Sequence, residues 1–226
     1  EGRKIMKTLF VDLNNLAVRT VFMDREMINN PKPDWGLHKH AVIQSILFNI
    51  KKFQPRQVVL GYDDSKCWRK TIYPEYKAHR KDKKDKDIFP WDKFYAHLEE
   101  FVQEIKDTFP FYVIQVPYSE ADDVIAVLTK HISGHKVIVT ADSDYIQLLD
   151  NKDTQLYNPI QEKFIQDSNP NQTLLIKIIA GDSGDNIPNI KPRVGPKTAE
   201  KMILEGTLQD FIEEHKLQAN LERNTK

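Results

Sequence analysis

The sequence predicts an α/β fold, with a mostly parallel central sheet and helices on both faces. Two observations support this class. Four short runs rich in β-branched and aromatic residues, KTLFVDLNN, QVVLGYDD, FYVIQVPYSE and KVIVTADSD, occur between residues 7 and 144. The longer segments between these runs carry apolar residues at intervals of three and four, which is typical of amphipathic helices. Strands that alternate with helices in this way indicate parallel strands joined by crossover helices.

Two crossovers are predicted to contain core-facing helices. In the first, apolar residues recur at helical spacing from Ala41 to Phe53. In the second, they recur from Trp91 to Phe109, directly after Pro90, a residue that suits the first turn of a helix.

The C-terminal part of the chain has a different pattern. From Asn169 it predicts a helix, a turn rich in Gly, Asp and Pro, and a further helix that begins near Pro196. We therefore expect an α/β core over residues 6–168 and a helical region over 169–226. Residues 1–5 precede the first methionine and are expected to be a cloning remnant rather than part of the fold.

Composition excludes several classes of protein. The 226 residues, 40% of them hydrophobic, suffice for one large or two small domains of a soluble globular protein. No stretch approaches the roughly 18 consecutive apolar residues of a membrane span, and no secretory apolar segment follows the charged N-terminus. The single Cys67 cannot form an internal disulfide. We therefore expect no membrane association and a location in a reducing cytoplasm.

Charge is distributed unevenly, although the formal net charge is zero, from 33 Lys+Arg and 33 Asp+Glu. Between Lys66 and Lys86 there are nine Lys or Arg against three Asp or Glu, with Trp68, Tyr73 and Tyr76 among them. This segment lacks a sustained apolar stripe. We interpret it as a loop or partly helical excursion that favours an anionic partner. The alternative is a solvated charged loop.

Acidic residues follow the predicted strands. Asp12, Asp63 and Asp142 close three of the runs, and the fourth leads into Glu120. In an open parallel sheet the carboxyl ends of the strands share one rim, where ligands bind, so these four groups are expected to converge. The alternative for any one of them is a turn residue or a helix cap.

Further acids extend this cluster. Ser119 is the predicted N-cap of a helix whose first turn holds three acids, a position that the helix dipole favours. Two like charges about 4 Å apart repel by roughly 4 kcal/mol at an effective dielectric near 20, so such a cluster needs two or more divalent cations. Ligands that are all oxygen favour Mg²⁺ or Mn²⁺ over zinc. The nine candidate metal ligands are Asp12, Asp63, Glu120, Asp122, Asp123, Asp142, Asp144, Asp182 and Asp185.

Long motifs follow one another in the order VDLNNLAVR, YDDSK, YPEYKAHR, SEADDVIA, TADSDYIQLL, GDSGDNIPNI and VGPKTAEKM. In this order and spacing the chain resembles the 5′-nuclease superfamily, which contains flap endonucleases, the 5′-nuclease domains of bacterial DNA polymerase I and phage 5′-exonucleases. The resemblance runs from about Thr8 to Leu204 and is greatest to the ribonuclease H group of T-even bacteriophages. It implies a PIN-like nuclease core, a basic helical arch at about 66–89 and a helix-three-turn-helix within 169–226.

The resemblance implies a metal-dependent nuclease that removes RNA primers or flaps during phage DNA replication. Its expected activities are 5′-3′ exonuclease and flap endonuclease, on DNA and RNA–DNA hybrids. Two Mg²⁺ ions, replaceable by Mn²⁺, would activate a water and stabilise the leaving oxygen. By position, the tighter metal site falls to Asp12, Asp63, Glu120, Asp123 and Asp142. The second site, occupied mostly through water, falls to Asp122, Asp144, Asp182 and Asp185.

The resemblance also implies nucleic-acid contacts. Lys77 and Arg80 match catalytic positions that contact the scissile phosphate, and Tyr76 is assigned to stacking on a base. Arg19 matches a phosphate-binding arginine, the alternative being a surface residue of the first helix. A helix N-terminus suits the phosphates of duplex DNA, and a K⁺ ion is often held in the preceding turn. Pro192 and Arg193 depart from the family pattern there. The positions assigned to duplex binding are Arg193, Gly195, Lys197 and Thr198.

The expected substrates are DNA with a 5′ flap or a 5′ end and RNA–DNA hybrids. The expected partners of the monomeric chain are a polymerase, a clamp or a single-strand-binding protein, in the host bacterial cytoplasm or nucleoid if a phage encodes it. Phage relatives commonly continue past the second helical pair, whereas this chain stops at Lys226, so we expect a C-terminal truncation or a reduced variant. Two other functions stay open: a PIN-type single-strand ribonuclease and a DNA-binding scaffold without catalysis.

Overall fold

The structure, a computed structural model, describes residues 6–225, apart from the side chains of 81–83. The expectation of a cloning remnant at residues 1–5 lies outside the described part of the chain. Contacts divide the chain into two compact units, which we call the sheet unit and the helical unit. The sheet unit comprises residues 6–66 and 86–168, and the helical unit comprises 67–85 and 169–225.

The sheet unit is built on one sheet. Its strands are β1 (Lys7–Asp12), β2 (Gln57–Gly61), β3 (Tyr112–Ile114), β4 (His135–Val139), β5 (Thr154–Asn158) and β6 (Lys163–Ile165). They are arranged in the order β3-β2-β1-β4-β5-β6, and each neighbouring pair is parallel except β5 and β6. The predicted mostly parallel α/β class is therefore confirmed. The four predicted runs correspond to β1 to β4, whereas β5 and β6 have no counterpart among them.

The carboxyl ends of four neighbouring strands lie side by side. Asp12, the last residue of β1, is in register with Gly61, the last residue of β2. Gly61 is in turn in register with Ile114 at the end of β3, and Val11 with Val139 at the end of β4. The segments that leave these strands therefore start from one rim of the sheet, as the sequence predicts for the acidic residues.

Helices fill the connections between strands and form the helical unit. In chain order they are α1 (Leu13–Met23), α2 (Arg25–Ile28), α3 (Trp35–Phe53), α4 (Arg69–Ile72), α5 (His79–Lys84), α6 (Trp91–Thr108), α7 (Ala121–His131), a 3₁₀ helix (Ser143–Asp150), α8 (Pro170–Ala180), α9 (Pro196–Leu204), α10 (Leu208–Glu214) and α11 (Gln218–Thr225). The two predicted crossover helices are observed as α3 and α6. Pro90 is the N-cap of α6, one residue before its expected place in the first turn.

Side chains that alternate along β1 fill a core on each face of the sheet. On one face Leu9 and Val11 pack in a cluster with residues of α1, α3 and α6. On the other face Phe10 packs in a cluster with Ile125 of α7 and Tyr145 of the 3₁₀ helix. Burial of each such side chain stabilises the fold by roughly 1.5–3 kcal/mol. Helices therefore cover both faces, as predicted.

The helical unit has its own core. Ile179 of α8, Ala199 and Met202 of α9 and Ile212 of α10 are buried in one cluster, and the predicted helix start at Pro196 is observed. Gly181 ends α8 with φ +71, and a Cβ there would lie 2.5 Å from the carbonyl oxygen of Ile187, so only glycine fits. Within residues 6–225, no helix combines the length and the apolar character that crossing a membrane requires.

Candidate metal centre and nucleic-acid interface

Asp12 lies at the end of the central strand and at the start of the helix that follows. It is the last residue of β1 and the N-cap of α1, where its Oδ1 accepts the backbone N–H of Asn15 at 2.8 Å. Its Oδ2 accepts the hydroxyl of Tyr145 at 3.0 Å. Asp12 is only 9% exposed. Two donors from different elements therefore hold a carboxylate at the edge of the core.

Negative charge is in excess around Asp12. Its pKa is raised to about 7, chiefly by burial, then by the nearby charge of Asp63, with a smaller contribution from Asp122. The hydrogen bonds from Asn15 and Tyr145 act in the opposite direction and favour the ionised form. A divalent cation at this place would offset the repulsion and favour the ionised form of the Asp12 carboxyl group.

Asp63 connects the end of β2 to two helix starts. Its Oδ1 accepts the backbone N–H of Ala121, the first residue of α7, at 2.7 Å. Its own backbone N–H donates to the Oδ1 of Asn14 in the first turn of α1, at 2.8 Å. The position of the Asp63 carboxylate is therefore fixed relative to α7, and its backbone relative to Asp12.

The start of α7 differs from the prediction. The N-cap is Glu120, not Ser119, and Glu120 and Asp123 form a capping box in which the Glu120 N–H donates to Asp123 Oδ2 at 3.2 Å. Ser119 instead belongs to the preceding turn, because its N–H donates to Val116 and its carbonyl accepts from Asp64. Asp122 accepts the N–H of Asp123 at 2.7 Å. The acids thus lie at the start of α7, as predicted. The helix itself begins one residue later than predicted, because its N-cap is Glu120 and not Ser119.

Asp142 and Asp144 occupy the start of the 3₁₀ helix. Asp142 is its N-cap, and its Oδ1 accepts the backbone N–H of Asp144 at 3.0 Å. In the same helix the pKa of Tyr145 is raised well above its ordinary value, first by burial and then by the charges of Asp12, Asp122 and Asp142. Three carboxylates from three segments therefore act on one phenol. The structure brings together Asp12, Asp63, Asp122 and Asp142, with Glu120, Asp123 and Asp144 beside them on the same helix starts.

The chemistry of this rim suits a cation that prefers oxygen. The ligand oxygens that the rim offers belong to carboxylates from β1 and from the segments that follow β2, β3 and β4. Arg19 lies near them on α1, since burial lowers its pKa while the charge of Asp12 acts to raise it. Arg19 also lines a cavity of about 370 Å³ together with Met23, Leu37 and Phe48. The carboxylates of the sheet unit fit Mg²⁺ or Mn²⁺ by ligand type.

Asp182 lies in the helical unit, in the turn after α8. Its Oδ2 is 2.9 Å from the Nζ of Lys177, and its Oδ1 accepts the N–H of Gly184 at 2.7 Å. Burial acts to raise its pKa, but Lys177 and the N–H groups of Gly184 and Asp185 outweigh this and lower the pKa. Asp182 therefore organises its own turn. Its membership of a metal centre stays a prediction.

Asp185 joins this turn to residues 67–85, which we call the arm. The Arg80 guanidinium donates to Asp185 Oδ1 at 2.7 Å, and the Nζ of Lys77 is 3.8 Å from the same oxygen. The Tyr76 hydroxyl donates to Asp185 Oδ2 at 3.1 Å, and the Lys77 N–H donates to the Asp185 carbonyl at 2.9 Å. The predicted phosphate-binding cations are therefore gathered on one carboxylate of their own unit.

Two arm residues have unexpected geometry. Tyr76 is 4% exposed, so in this conformation its ring is not open for stacking on a base. Its face is instead 4.7 Å from the Nζ of Lys77. Lys77 has φ +56, in the left-handed region that costs a non-glycine residue roughly 1–2 kcal/mol. The contacts with Asp185 supply the interactions that hold this conformation.

The turn before α9 carries the predicted duplex-binding residues. Gly195 is the N-cap of α9 with an extended backbone, and a Cβ there would meet nothing within 4 Å, so glycine is not sterically required. Lys197 and Thr198 are exposed in the first turn of α9. Arg193 has φ +71, so the turn adopts a glycine-like backbone conformation although arginine occupies the position.

Sequence reasoning missed two residues that support the rim. Tyr145 donates its hydroxyl to Asp12, and the Asn14 side chain accepts from the backbone of Asp63. Both lie within two residues of a predicted acid, in DLNN and DSDY. Nothing in these motifs indicates that Tyr145 would reach an aspartate 133 residues away.

Residues 7–174 match the protein family described as 5′-3′ exonuclease, N-terminal resolvase-like domain. The chain is 29% identical over 196 residues to ribonuclease H of Enterobacteria phage T4, which covers 81% of this chain and 63% of that protein. It is 32% identical over 213 residues to a 5′-3′ exonuclease of Mycoplasmopsis pulmonis, which covers 89% of this chain and 67% of that protein. The thermostable DNA polymerase I of Thermus thermophilus is 30% identical, over 96% of this chain and 27% of the polymerase. The chain thus spans only part of each relative.

Solved structures of similar fold include the flap endonuclease of bacteriophage T5 in a pseudo-enzyme-product complex with DNA and metal ions. Its TM-score is 0.76 at 23% identity, over 96% of this chain and 87% of that chain. The bacteriophage T5 5′-exonuclease with divalent metal ions (zinc) bound has a TM-score of 0.75 at 24% identity, with the same coverage. At these identities the likeness shows the fold.

Proposed function

Because the chain belongs to the 5′-3′ exonuclease family, we propose that it is a nuclease that hydrolyses phosphodiesters at or near the 5′ end of DNA strands, as 5′-3′ exonuclease and flap endonuclease. The observation that carries this proposal is the acidic rim of the sheet unit. There the charges of Asp63 and Asp122 help to raise the pKa of the buried Asp12. A cluster of this kind is stable when it binds divalent cations, and bound divalent cations can activate water for phosphodiester hydrolysis.

The proposed cofactors are two Mg²⁺ ions, with Mn²⁺ as a substitute. When bound, they activate a water and stabilise the leaving oxygen. The rim residues hold and orient the cations, and their backbone contacts fix the carboxylates before metal arrives. We assign the tighter site to Asp12, Asp63, Glu120, Asp123 and Asp142. We assign the second site to Asp122, Asp144, Asp182 and Asp185.

The proposed substrate contacts come from cationic side chains and helix starts. Lys77 and Arg80 bind the phosphate next to the cleaved bond, because an anionic strand approaching carboxylates needs compensating positive charge. Arg19 binds a further phosphate. Stacking of a base on Tyr76 requires the arm to move, since the ring is buried. Duplex DNA is held at the N-terminus of α9 by Arg193, Gly195, Lys197 and Thr198.

The wider role follows from the relatives. The names ribonuclease H and DNA polymerase I support action on RNA–DNA hybrids and removal of RNA primers or flaps in replication, in the bacterial cytoplasm and, if phage-encoded, in the host. A polymerase, a clamp or a single-strand-binding protein is the proposed partner of a monomeric chain. The proposed K⁺ site in the turn before α9 rests on the family resemblance. Its Val194 carbonyl already accepts the Asn189 amide at 2.5 Å.

Replacement of one rim acid tests the proposal. Asp144→Asn is expected to slow cleavage of a 5′-labelled flap in Mg²⁺ by more than about 100-fold, because even outer partners of a metal contribute about 10–100-fold. The matched control is Asp150→Asn, an exposed acid at the other end of the same 3₁₀ helix, which should cleave normally. Unchanged turnover of Asp144→Asn would count against the site.

A substrate panel separates the alternatives. Wild-type protein is assayed on a flap, a nick, a gapped duplex, an RNA–DNA hybrid and single-stranded RNA, with and without Mg²⁺. The proposal expects Mg²⁺-dependent cleavage with preference for a 5′ end or junction. Cleavage of single-stranded RNA without that preference would favour a PIN-type ribonuclease. Failure to bind Mg²⁺ or Mn²⁺ in calorimetry would favour a DNA-binding scaffold.

A further inference from the structure

The ring and the hydroxyl of Tyr145 have separable roles. The ring is 2% exposed and packs with Phe10, Ile125 and Leu156 in the core beneath the sheet. A phenylalanine ring would fill the same space. The hydroxyl instead leaves this apolar cluster and donates to Asp12 Oδ2 at 3.0 Å. The hydroxyl therefore serves the carboxylate and not the core.

Two donors together determine the orientation of the Asp12 carboxylate. The torsion that turns a carboxylate about its last bond is broad, so a single hydrogen bond leaves much of that rotation open. The Asn15 N–H holds Oδ1 and the Tyr145 hydroxyl holds Oδ2. Each ionised oxygen has about two acceptor sites, so one site on each oxygen is left for a cation.

The same hydrogen bond connects two parts of the rim. Tyr145 lies on the 3₁₀ helix that begins with the Asp142 cap and also carries Asp144. Asp12 lies at the end of β1. The hydroxyl therefore fixes the spacing between a carboxylate of the central strand and the helix that bears two other predicted ligands.

We propose that Tyr145 is a positioning residue of the metal centre, which sets the plane of the Asp12 carboxylate and its distance from the acids of the 3₁₀ helix. The proposal rests on the proposed function, because it takes Asp12 to be a metal ligand. The proposal gives Tyr145 no contact with substrate or with the reacting atoms, because its hydroxyl is donated to Asp12. Its loss acts through Asp12, as the loss of outer hydrogen-bond partners does at other metal sites.

Tyr145→Phe tests the proposal by metal binding. Titration calorimetry with Mn²⁺ is expected to show an affinity about 10–100-fold below wild type. The Mg²⁺ concentration for half-maximal flap cleavage should rise by a similar factor, while kcat at saturating Mg²⁺ stays close to wild type. In EDTA the Tyr145→Phe variant should unfold at nearly the same temperature as wild type, because the ring is retained.

The matched control is Tyr157→Phe. Tyr157 is also buried, at 1% exposure, but its hydroxyl accepts from the Nζ of Lys52 at 2.5 Å. The Mn²⁺ affinity of the Tyr157→Phe variant should equal that of wild type. A second comparison uses Asp12→Asn: adding Tyr145→Phe to it should lower Mn²⁺ affinity no further, because the group that Tyr145 positions is already gone.

Three results would overturn the proposal. Equal Mn²⁺ affinity of Tyr145→Phe and wild type would do so and leave the proposed function intact. A lower unfolding temperature in EDTA with unchanged half-saturation by Mg²⁺ would assign the hydroxyl to stability alone. If wild-type protein itself binds neither Mn²⁺ nor Mg²⁺, the proposed function fails first, and the role of Tyr145 with it.

Discussion

At the scale of single residues, Asp12 is placed where the fold alone would not favour a charge. It is buried, and burial raises its pKa from the ordinary 3.8 to about 7. A tenfold change in a proton-binding constant corresponds to about 1.4 kcal/mol, so ionising this group in the metal-free fold costs up to about 4 kcal/mol. A folded-state pKa that is raised means that stability declines as pH rises from about 4 to 7. The metal-free protein is therefore expected to be strained at neutral pH.

Asp12→Asn should relieve this strain. In EDTA at pH 8, urea unfolding is expected to give a higher free energy of unfolding than wild type, by up to about 4 kcal/mol. The difference should shrink as pH falls and vanish below about pH 3, where wild-type Asp12 is protonated in both the folded and the unfolded state. The variant should also lose the stabilisation that Mg²⁺ gives to wild type. A variant that is less stable than wild type in EDTA at pH 8 would contradict this account of Asp12.

The sequence predicts these residues unequally well. Asp12, Asp63 and Asp142 could be predicted as a group, because parallel strands direct their carboxyl ends to one rim. The cap at Glu120 could not, because a turn that uses both the N–H and the carbonyl of Ser119 decides where α7 begins. The role of Tyr145 arises from tertiary packing, for which the local sequence carries no signal.

At the scale of elements, the arm is held by the turn after α8. Asp185 accepts from Tyr76 and Arg80, and the Asn186 side chain donates to the Glu75 carbonyl at 2.8 Å. The arm contains short helices rather than a long one, and these contacts replace the apolar face that it lacks. The conformation of the arm should therefore depend on Asp185.

Asp185→Ala is expected to loosen the arm. In EDTA, limited trypsin digestion should cut within residues 67–85 several-fold faster than in wild type, because local opening exposes its many Lys and Arg residues. The control is Asp210→Ala, an exposed acid in the first turn of α10, which should leave the rate unchanged. Equal cleavage rates in wild type and Asp185→Ala would show that the arm is held by other contacts.

A pair of buried histidines links three helices of the sheet unit. His38 Nδ1 on α3 is 3.1 Å from His97 Nε2 on α6, and His38 Nε2 is 3.0 Å from the Ala17 carbonyl on α1. The pKa of both is lowered, chiefly by burial, and that of His97 to about 4. The unfolded chain takes up protons near pH 6.5, before the folded one does, so this pair destabilises the fold as pH falls from 6.5 toward 4.

His97→Gln should weaken that pH dependence. The comparison is made in the Asp12→Asn background, where the opposing titration of Asp12 is absent. The free energy of unfolding is expected to decline less between pH 6.5 and 4 than with His97 present. His40→Gln, which alters an exposed residue of α3, should leave the slope unchanged. An identical slope with and without His97 would rule out its titration as the cause.

The elements themselves were largely predictable. Apolar periodicity is strong in α3 and α6, whose buried residues recur every three or four positions. The strands β5 and β6 escaped prediction because TQLYN and KFI mix polar with apolar residues and form no apolar run. The pairing of β5 with β4 and of β6 with β5, rather than their local sequence, makes them strands.

At the scale of the whole molecule, a net charge of zero gives no general attraction to nucleic acid. Any affinity must come from local positive charge, such as that of the arm and its two flanking lysines. Between Lys66 and Lys86, nine bases against three acids leave six positive charges. Binding that depends on a few phosphate contacts weakens with salt in proportion to their number.

Lys77→Ala and Arg80→Ala should each reduce this salt dependence. With metal withheld so that no cleavage occurs, the slope of log affinity for a flap substrate against log salt is expected to fall by about 1 for each variant. Lys106→Ala, at an exposed position in the last turn of α6, should retain the wild-type slope. A wild-type slope in both arm variants would mean that neither cation contacts phosphate.

The division of the chain also constrains how such a protein can be recombined. The arm is inserted in sequence between two parts of the sheet unit, yet it packs with the C-terminal helices. A chimaera that exchanged only residues after 168 would separate Tyr76 and Arg80 from the acid that holds them. Residues 67–85 and the turn at 182–186 are therefore expected to be inherited, swapped or redesigned together, as one non-contiguous module.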